Sequence, residues 1–211
     1  MKETTAKKKF MWNMAGSLCN SLSSMLLLII VNRISGESRG GFFALAYSTA
    51  QLLFSVGGFE IRPVQSTDIK NKFTFNQYFT SRMLNCIIML ICMIGYIVVN
   101  GYTGVEALTV FWILGYRMVE AVADVYSGLF QQRERIDISG KEMLMRSGIS
   151  TITFTIILWL TDNLLYAAMT LTLTSLVIML FYDLHMKKYF EPTPVHLEWR
   201  GILGIYNACW P

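Results

Sequence analysis

Charged residues are scarce in this 211-residue sequence, where Asp, Glu, Lys and Arg together make up 15%. A soluble domain has about 25% of these residues, so a soluble globular fold is not expected. Hydrophobic residues make up 54%, the mean hydropathy is +0.44, and the apolar residues come in long blocks rather than alternating patterns. The composition therefore predicts an integral membrane protein.

Residue patterns that carry enzymatic chemistry are missing from the sequence. It has no glycine-rich phosphate loop, no Ser/His/Asp arrangement and no HExxH motif, and its two histidines, His185 and His196, lie in a polar segment. The cysteines fall in apolar blocks without CxxC spacing, which argues against a disulfide framework or a zinc site. They are Cys19, Cys86, Cys92 and Cys209. We expect no catalytic residue, metal or cofactor, and interpret the cysteines as small core residues.

Six apolar blocks are long enough to cross a bilayer, because a hydrocarbon core of about 30 Å takes about 20 helical residues. They cover residues 11–32, 41–61, 77–99, 105–130, 143–160 and 164–182. The first block is longer than the apolar region of a signal peptide, and no A-x-A-like site follows it, so we expect it to be retained. The predicted fold is all-α, a polytopic bundle of six transmembrane helices.

The blocks divide the chain into three predicted parts. Residues 1–182 form the six-helix lobe, and residues 183–200 form a polar cytoplasmic linker in which Pro192 and Pro194 disfavour helix. Residues 201–211 are apolar again but too few to cross a bilayer. We interpret them as the start of a seventh helix in a larger protein.

Basic residues are distributed unevenly around the blocks. With the N-terminus in the cytoplasm, the cytoplasmic side holds every Lys and Arg except Arg33, Arg39 and Arg117. The positive-inside rule therefore favours this orientation. No stripe of Lys and Arg is interleaved with aromatic residues, so nucleic acid is not an expected partner.

The fourth block carries three charged residues on one helical face. Arg117, Glu120 and Asp124 fall at positions i, i+3 and i+7, and Tyr116 and Ser127 border them. This face must point at protein or water, because each charge at the bilayer centre costs at least about 2.5–3.5 kcal/mol. One interpretation is a cavity in which Arg117 attracts an anion while a carboxylate exchanges protons or other cations. The other is an Arg117–Glu120 pair that holds the bundle together.

The first block has a stripe of small and polar residues on its cytoplasmic half. These residues are Asn13, Gly16, Ser17, Asn20, Ser23 and Ser24. The stripe indicates either close helix packing or the lining of a cavity.

Other basic residues lie at the two ends of the predicted bundle. Arg33 and Arg39 flank Gly36, where a turn with positive φ suits the short connection. They are either solvated or in contact with a phosphate or sugar acid that leaves the cavity. At the cytoplasmic end, the candidate gate residues are Arg62, Asp68 and Arg82. Contact with lipid phosphates is the alternative for the two arginines.

Three stretches carry a resemblance to a known family. They are residues 13–17 (NMAGS) with 31–36 (VNRISG); residues 40–46 (GGFFALA); and residues 58–62 (GFEIR) with 67–70 (TDIK), Phe75, Tyr78 and Arg82. Cys209, Trp210 and Pro211 also look like the start of the family's seventh helix. The chain resembles the polysaccharide transporters, or O-antigen and repeat-unit flippases, of the multidrug/oligosaccharidyl-lipid/polysaccharide exporter superfamily.

This resemblance implies two six-helix lobes around a central cavity, with this chain as the N-terminal lobe in the bacterial inner membrane. It implies a substrate, undecaprenyl-pyrophosphate-linked oligosaccharide, moved to the outer leaflet for O-antigen, capsule or exopolysaccharide assembly. Polysaccharide polymerase machinery would be a partner. The expected cationic contacts are Arg117 with Arg33, Arg39 or Arg82, and Asn13, Asn20, Ser17, Ser24 and Tyr116 are candidates for the sugar. The alternatives are a drug or metabolite exporter of the same superfamily and a non-transporting subunit of a polysaccharide synthesis complex.

Overall fold

The computed structural model describes residues 5–210, and this part of the chain is helical with no strand. The predicted all-α class is confirmed. The elements are α1 (Ala6–Gly58), α2 (Ile61–Thr67), α3 (Phe75–Val99), α4 (Gly104–Gln132), α5 (Ile136–Thr161), α6 (Leu164–Ile178), a π-helical turn (Met179–Asp183), α7 (Leu184–Phe190) and α8 (Ile202–Cys209).

Helix α1 contains the first two predicted spans and bends between them. The bend is at Gly36, whose φ of 84° and ψ of 172° are not helical. The positive φ expected at this glycine is confirmed. Arg39 Nη1 ties the bend to the α5–α6 turn, since it lies 2.9 Å from Asp162 Oδ1 and donates to the Asp162 carbonyl at 2.8 Å. Ser35 Oγ donates to the same carboxylate at 3.0 Å.

Four helices of the described chain are long and apolar enough to cross a membrane: α1, α3, α5 and the continuous helix Leu164–Phe190. The protein is therefore a multi-pass membrane protein. Helix α4 is not among the four, although its 29 residues extend about 43 Å at 1.5 Å per residue. It carries Arg117, Glu120 and Asp124 in its middle, which makes it less apolar than the others. The count of six spans stays a prediction.

Helices α1 and α5 approach each other through glycine. A Cβ on Gly16 would lie 2.2 Å from the Gly140 carbonyl oxygen, and one on Gly140 would lie 2.3 Å from the Trp12 carbonyl oxygen. Small residues at such crossings let two membrane helices pack backbone to backbone. At Gly16, the polar stripe of the first block therefore serves close packing.

Two large apolar cores and one small group of buried apolar residues lie along the bundle, and α4 contributes to all three. Val110 and Leu114 of α4 lie in one core with Phe43 and Phe154. The residues of α4 from Val125 to Phe130 contribute to the other core. The charged part of α4 lies between these cores.

The end of the chain is more helical than expected. Helical structure continues through the π turn and α7 to Phe190, so the non-helical linker starts at Glu191 rather than at residue 183. The linker is attached to the start of α3 through Glu198, whose carboxylate accepts from Thr74 Oγ1 at 2.7 Å and Gln77 Nε2 at 2.9 Å. The expected seventh-helix start is helical as α8, and Pro211 lies outside the described residues.

All four cysteines are free. Cys86 and Cys209 are buried, as expected of core residues, and Cys19 is half-buried. The interpretation is wrong for Cys92, which is exposed on α3. The apolar environment of that position is the outer surface of the bundle rather than its interior.

Replacing Gly140 with alanine should destabilise the bundle, because the added methyl overlaps the backbone of α1. Overpacking of this kind costs about 1–3 kcal/mol. The matched control is Gly95→Ala in α3, where a Cβ meets nothing within 4 Å. Thermal unfolding in detergent should show a lower midpoint for Gly140→Ala and an unchanged or higher one for the control. Equal midpoints would contradict the close approach.

Candidate functional site

The charged face of α4 points into the bundle. Arg117 is 3% exposed and Glu120 is 6% exposed, while Asp124 is half-buried. The prediction that this face meets protein or water rather than lipid is confirmed. Arg117 and Glu120 are paired with each other and also border a cavity, while attraction of an anion and exchange of cations there stay predictions.

Glu120 is the centre of the first group of contacts. Its Oε2 accepts from Arg117 Nη1, and its Oε1 accepts from Asn20 Nδ2 at 2.9 Å. Arg146 of α5 approaches the same Oε1 at 4.0 Å. The Arg117 guanidinium also lies 4.4 Å from the centroid of the Tyr47 ring, a favourable cation–π arrangement. Glu120 therefore connects α1 with α4 and α5.

Asp124 is the centre of the second group. Its Oδ1 lies 2.8 Å from Arg62 Nη1, and its Oδ2 lies 2.9 Å from Arg82 Nη2. Arg82 is fully buried and also donates from Nη1 to the Gly57 carbonyl at 2.8 Å. Asn85 Nδ2 donates to that carbonyl at 3.0 Å. One carboxylate thus connects α2, α3 and α4 with the end of α1.

Two adjoining cavities follow these charges, and together we call them the groove. Their volumes are about 410 and 420 Å³, and both are lined by Asn20, Phe54 and Glu120. Arg62, Asp124 and Arg146 line only the first. Arg117, Tyr47, Gln51, Ser21, Ser24 and Ser48 line only the second. The groove therefore offers guanidinium groups beside hydroxyl and amide groups.

The predicted cavity residues do not all reach the groove. Asn20, Arg117, Glu120 and Asp124 line it. Tyr116 is buried, with its ring 5.5 Å from the Arg117 guanidinium, and lines neither cavity. Ser17 is exposed on α1 and lies outside both cavities.

Arg33 and Arg39 lie at the bend of α1, away from the groove. Arg33 is exposed, and Arg39 is engaged with Asp162. Arg39 and Asp162 line a separate cavity of about 330 Å³ together with Glu106. A role at this end of the molecule stays a prediction.

The candidate gate residues separate into two places. Arg62 lines the groove, whereas Arg82 does not line it but is buried and bonded to Asp124. Asp68 instead organises the connection between α2 and α3: it accepts from the backbone N–H groups of Lys72 at 2.8 Å and Phe73 at 3.0 Å. Burial raises the Asp68 pKa, but these bonds and one from the Tyr78 hydroxyl outweigh it, so the pKa lies below its usual value. Its contacts are those of a loop-stabilising residue.

Sequence reasoning missed Arg146 and Glu142 of α5. Arg146 Nε donates to Glu142 Oε1 at 2.6 Å, and both side chains are buried. Their i, i+4 spacing and the position of Arg146 inside the block 143–160 were usable signals. The sequence pattern made Arg146 look like one more basic residue at a membrane boundary.

Comparison with known proteins identifies the family. Residues 6–202 match the model of a family described as Polysaccharide biosynthesis protein. The chain belongs to this family. A comparison with curated proteins found no match, and neither did a comparison with solved structures. The family assigns the chain to polysaccharide biosynthesis or export and confirms the resemblance found in the sequence.

Replacing Asp124 with asparagine should strongly destabilise this family member, because Arg82 would then be a buried cation without its carboxylate. Removing one partner of a buried pair costs about 3–5 kcal/mol. The control is Asp162→Asn, which breaks a solvent-exposed pair worth about 0–1 kcal/mol. Denaturant unfolding in detergent compares them, and a similar small loss in both variants would show that Asp124 is not needed to compensate Arg82.

Proposed function

We propose that this chain forms a lobe of a flippase that moves undecaprenyl-pyrophosphate-linked oligosaccharide from the cytoplasmic to the outer leaflet by alternating access. One observation supports it most directly: a polar groove lined by Arg62, Arg117 and Arg146 within a bundle of membrane helices. Hydrocarbon excludes a pyrophosphate, so its carrier needs cationic groups inside the membrane. The N-terminus is cytoplasmic in this proposal, and the membrane is the bacterial inner membrane.

The pairing of Asp124 leaves one arginine available for an anion. Arg82 is fully buried, while the Arg62 side chain is 30% exposed and lines the groove. A phosphate entering the groove can therefore take Arg62 from Asp124, and Arg82 still compensates the carboxylate. Glu60 also lines this end of the groove, so the charges are balanced in number, and the exposed guanidinium of Arg62 is the one that can exchange its partner. We assign the first contact with the pyrophosphate to Arg62.

The uncharged side chains of the groove suit the sugar part of the substrate. Asn20, Ser24 and Gln51 line the cavity that also contains Arg117. Their amide and hydroxyl groups can donate to and accept from sugar hydroxyls. The polyprenyl tail stays in the lipid and passes between helices. Polysaccharide polymerase machinery is a further expected partner.

Pairing of the carboxylates favours this function over export of a drug or metabolite. Cation coupling at Glu120 or Asp124 requires a carboxylate that is free to bind the cation, whereas each of these two residues contacts two arginines. An anionic substrate instead needs a cation that can exchange its partner, as the exposed Arg62 can. A subunit without transport activity would not need a groove lined in this way.

Replacing Arg62 with alanine in the gene at its native locus should reduce surface polysaccharide. Loss of a hydrogen bond to a charged group costs about 1.5–3 kcal/mol, which corresponds to about 10- to 100-fold weaker binding. Surface polysaccharide should fall about tenfold or more at equal protein level, while lipid-linked oligosaccharide accumulates in the cytoplasmic leaflet. Arg62→Lys should retain part of the activity.

The matched control is Arg133→Ala, which removes a partly exposed arginine outside the groove, 3.9 Å from Glu191. It should leave display unchanged. Normal display in Arg62→Ala would remove Arg62 from substrate binding. A loss of polysaccharide without accumulation of the lipid-linked precursor would favour a role in synthesis over translocation.

A further inference from the structure

A buried carboxylate outside the groove has no hydrogen-bond partner in the described part of the chain. Asp183 is 1% exposed, and neither its Oδ1 nor its Oδ2 accepts or donates a hydrogen bond. It ends the π-helical turn, a local rearrangement that is frequent at functional positions in helices. By contrast, Glu120 and Asp124 are each bonded on both carboxylate oxygens.

The groups around Asp183 leave it poorly compensated. The titratable side chains that interact with it are Tyr126 of α4, Glu142 and Arg146 of α5 and Tyr182 of the π turn, and Lys187 of α7 follows one helical turn later. Lys187 is engaged elsewhere, because Nζ donates to the Thr193 carbonyl and lies 4.9 Å from the centre of the Phe75 ring. The charged groups that act on Asp183 are therefore Glu142 and Arg146.

The bonded pairs leave Asp183 without a cation of its own. Arg117 is bonded to Glu120 and Arg146 to Glu142, so Glu142 and Asp183 share the single charge of Arg146. If both were ionised, one buried negative charge would remain without a partner, which is strongly disfavoured. Two like charges that share a buried site do not both ionise readily. Protonation of Asp183 breaks no contact, because neither of its oxygens is bonded.

We propose that Asp183 is a proton-binding site that shares one proton with Glu142 and is linked to the groove through Arg146. On uptake, a proton from water forms an O–H bond on the Asp183 carboxyl group. On release, the proton returns to water and leaves a carboxylate that attracts Arg146. Arg146 has a donor available for this contact, because its Nη1 has no hydrogen-bond partner. Glu142 Oε2 likewise has no partner and can accept the shared proton.

Movement of Arg146 connects this site to the substrate groove. Arg146 is 4.0 Å from Glu120 Oε1 and lines the groove, while its Nε is bonded to Glu142. A shift towards ionised Asp183 therefore weakens the contact with Glu120 and changes the charge that the groove presents. This link to translocation rests on the proposed function, whereas proton binding at Asp183 does not.

A proton fits this site better than a metal ion. No group of three or more His, Cys, Asp or Glu residues able to hold a metal occurs among residues 5–210. The guanidinium of Arg146 already supplies positive charge beside the two carboxylates, which disfavours a second cation. A proton needs only one carboxylate oxygen.

Infrared difference spectroscopy of the 211-residue chain in lipid nanodiscs tests the proposal. A pH titration should show one C=O band of a buried protonated carboxylic acid that disappears at alkaline pH. Selective ¹³C labelling of the aspartate carboxyl groups should shift this band without any mutation. Asp183→Asn, close in shape to the protonated acid, should abolish it, and Glu142→Gln should move the pH at which it disappears. Asp162→Asn, at an exposed carboxylate, should leave it unchanged.

Three results would overturn the proposal: no titrating carboxyl band in the wild-type chain, a band that ignores aspartate labelling, or a band that persists in Asp183→Asn. A change of this band on addition of Na⁺ at constant pH would indicate that the site binds a metal cation, which would also contradict the proposal. These infrared measurements do not depend on transport activity. A titrating Asp183, together with loss of polysaccharide but no accumulation of the lipid-linked precursor in Arg62→Ala, would therefore reject the proposed function and keep the proton site.

Discussion

The structure depends on the compensation of charges that α4 carries into the bundle. Asp124 binds Arg62 and Arg82, and Arg82 also binds the last turn of α1 through the Gly57 carbonyl. Charges in such surroundings are tolerated only with partners, because water is excluded and the cost of an isolated ion is high. The positions of α2 and α3 relative to α4 follow from this requirement as much as from apolar packing.

The same requirement divides the interior into layers. α4 contributes Val110 and Leu114 to one apolar core and Val125 and Phe130 to the other, with its charged turns between them. The groove lies in the layer between them, where Arg146 of α5 lines it together with the charged residues of α4. A polar opening in the middle of an apolar bundle is the arrangement that transport of a charged headgroup needs.

Sequence reasoning was successful where a local pattern determines the outcome. Spacing along α4 placed Arg117, Glu120 and Asp124 on one face, and Gly36 marked the bend of α1. It could not identify partners, since Arg62 and Arg82 are 62 and 42 residues away from Asp124 and only packing brings them together. It also treated Asp183 as the first residue of a linker. Burial of that carboxylate accompanies a helix that continues to Phe190, for which Lys187 and Lys188 in the last turn and Pro192 beyond it were local signals.

The carboxylates of the charged layer are not compensated equally: Asp124 and Asp183 differ in their partners, and Arg146 lies between them. Asp124 has one arginine more than it needs, whereas Asp183 has no bonded partner and Glu142 already uses Arg146. Arg62, the exposed one of the two arginines bonded to Asp124, therefore faces the groove, whereas Asp183 has no cation bonded to it. Arg146 contacts both regions, so an anion in the groove and a proton at Asp183 influence the same side chain. Each of them changes the charge that Arg146 must balance, and by linkage binding of one alters binding of the other.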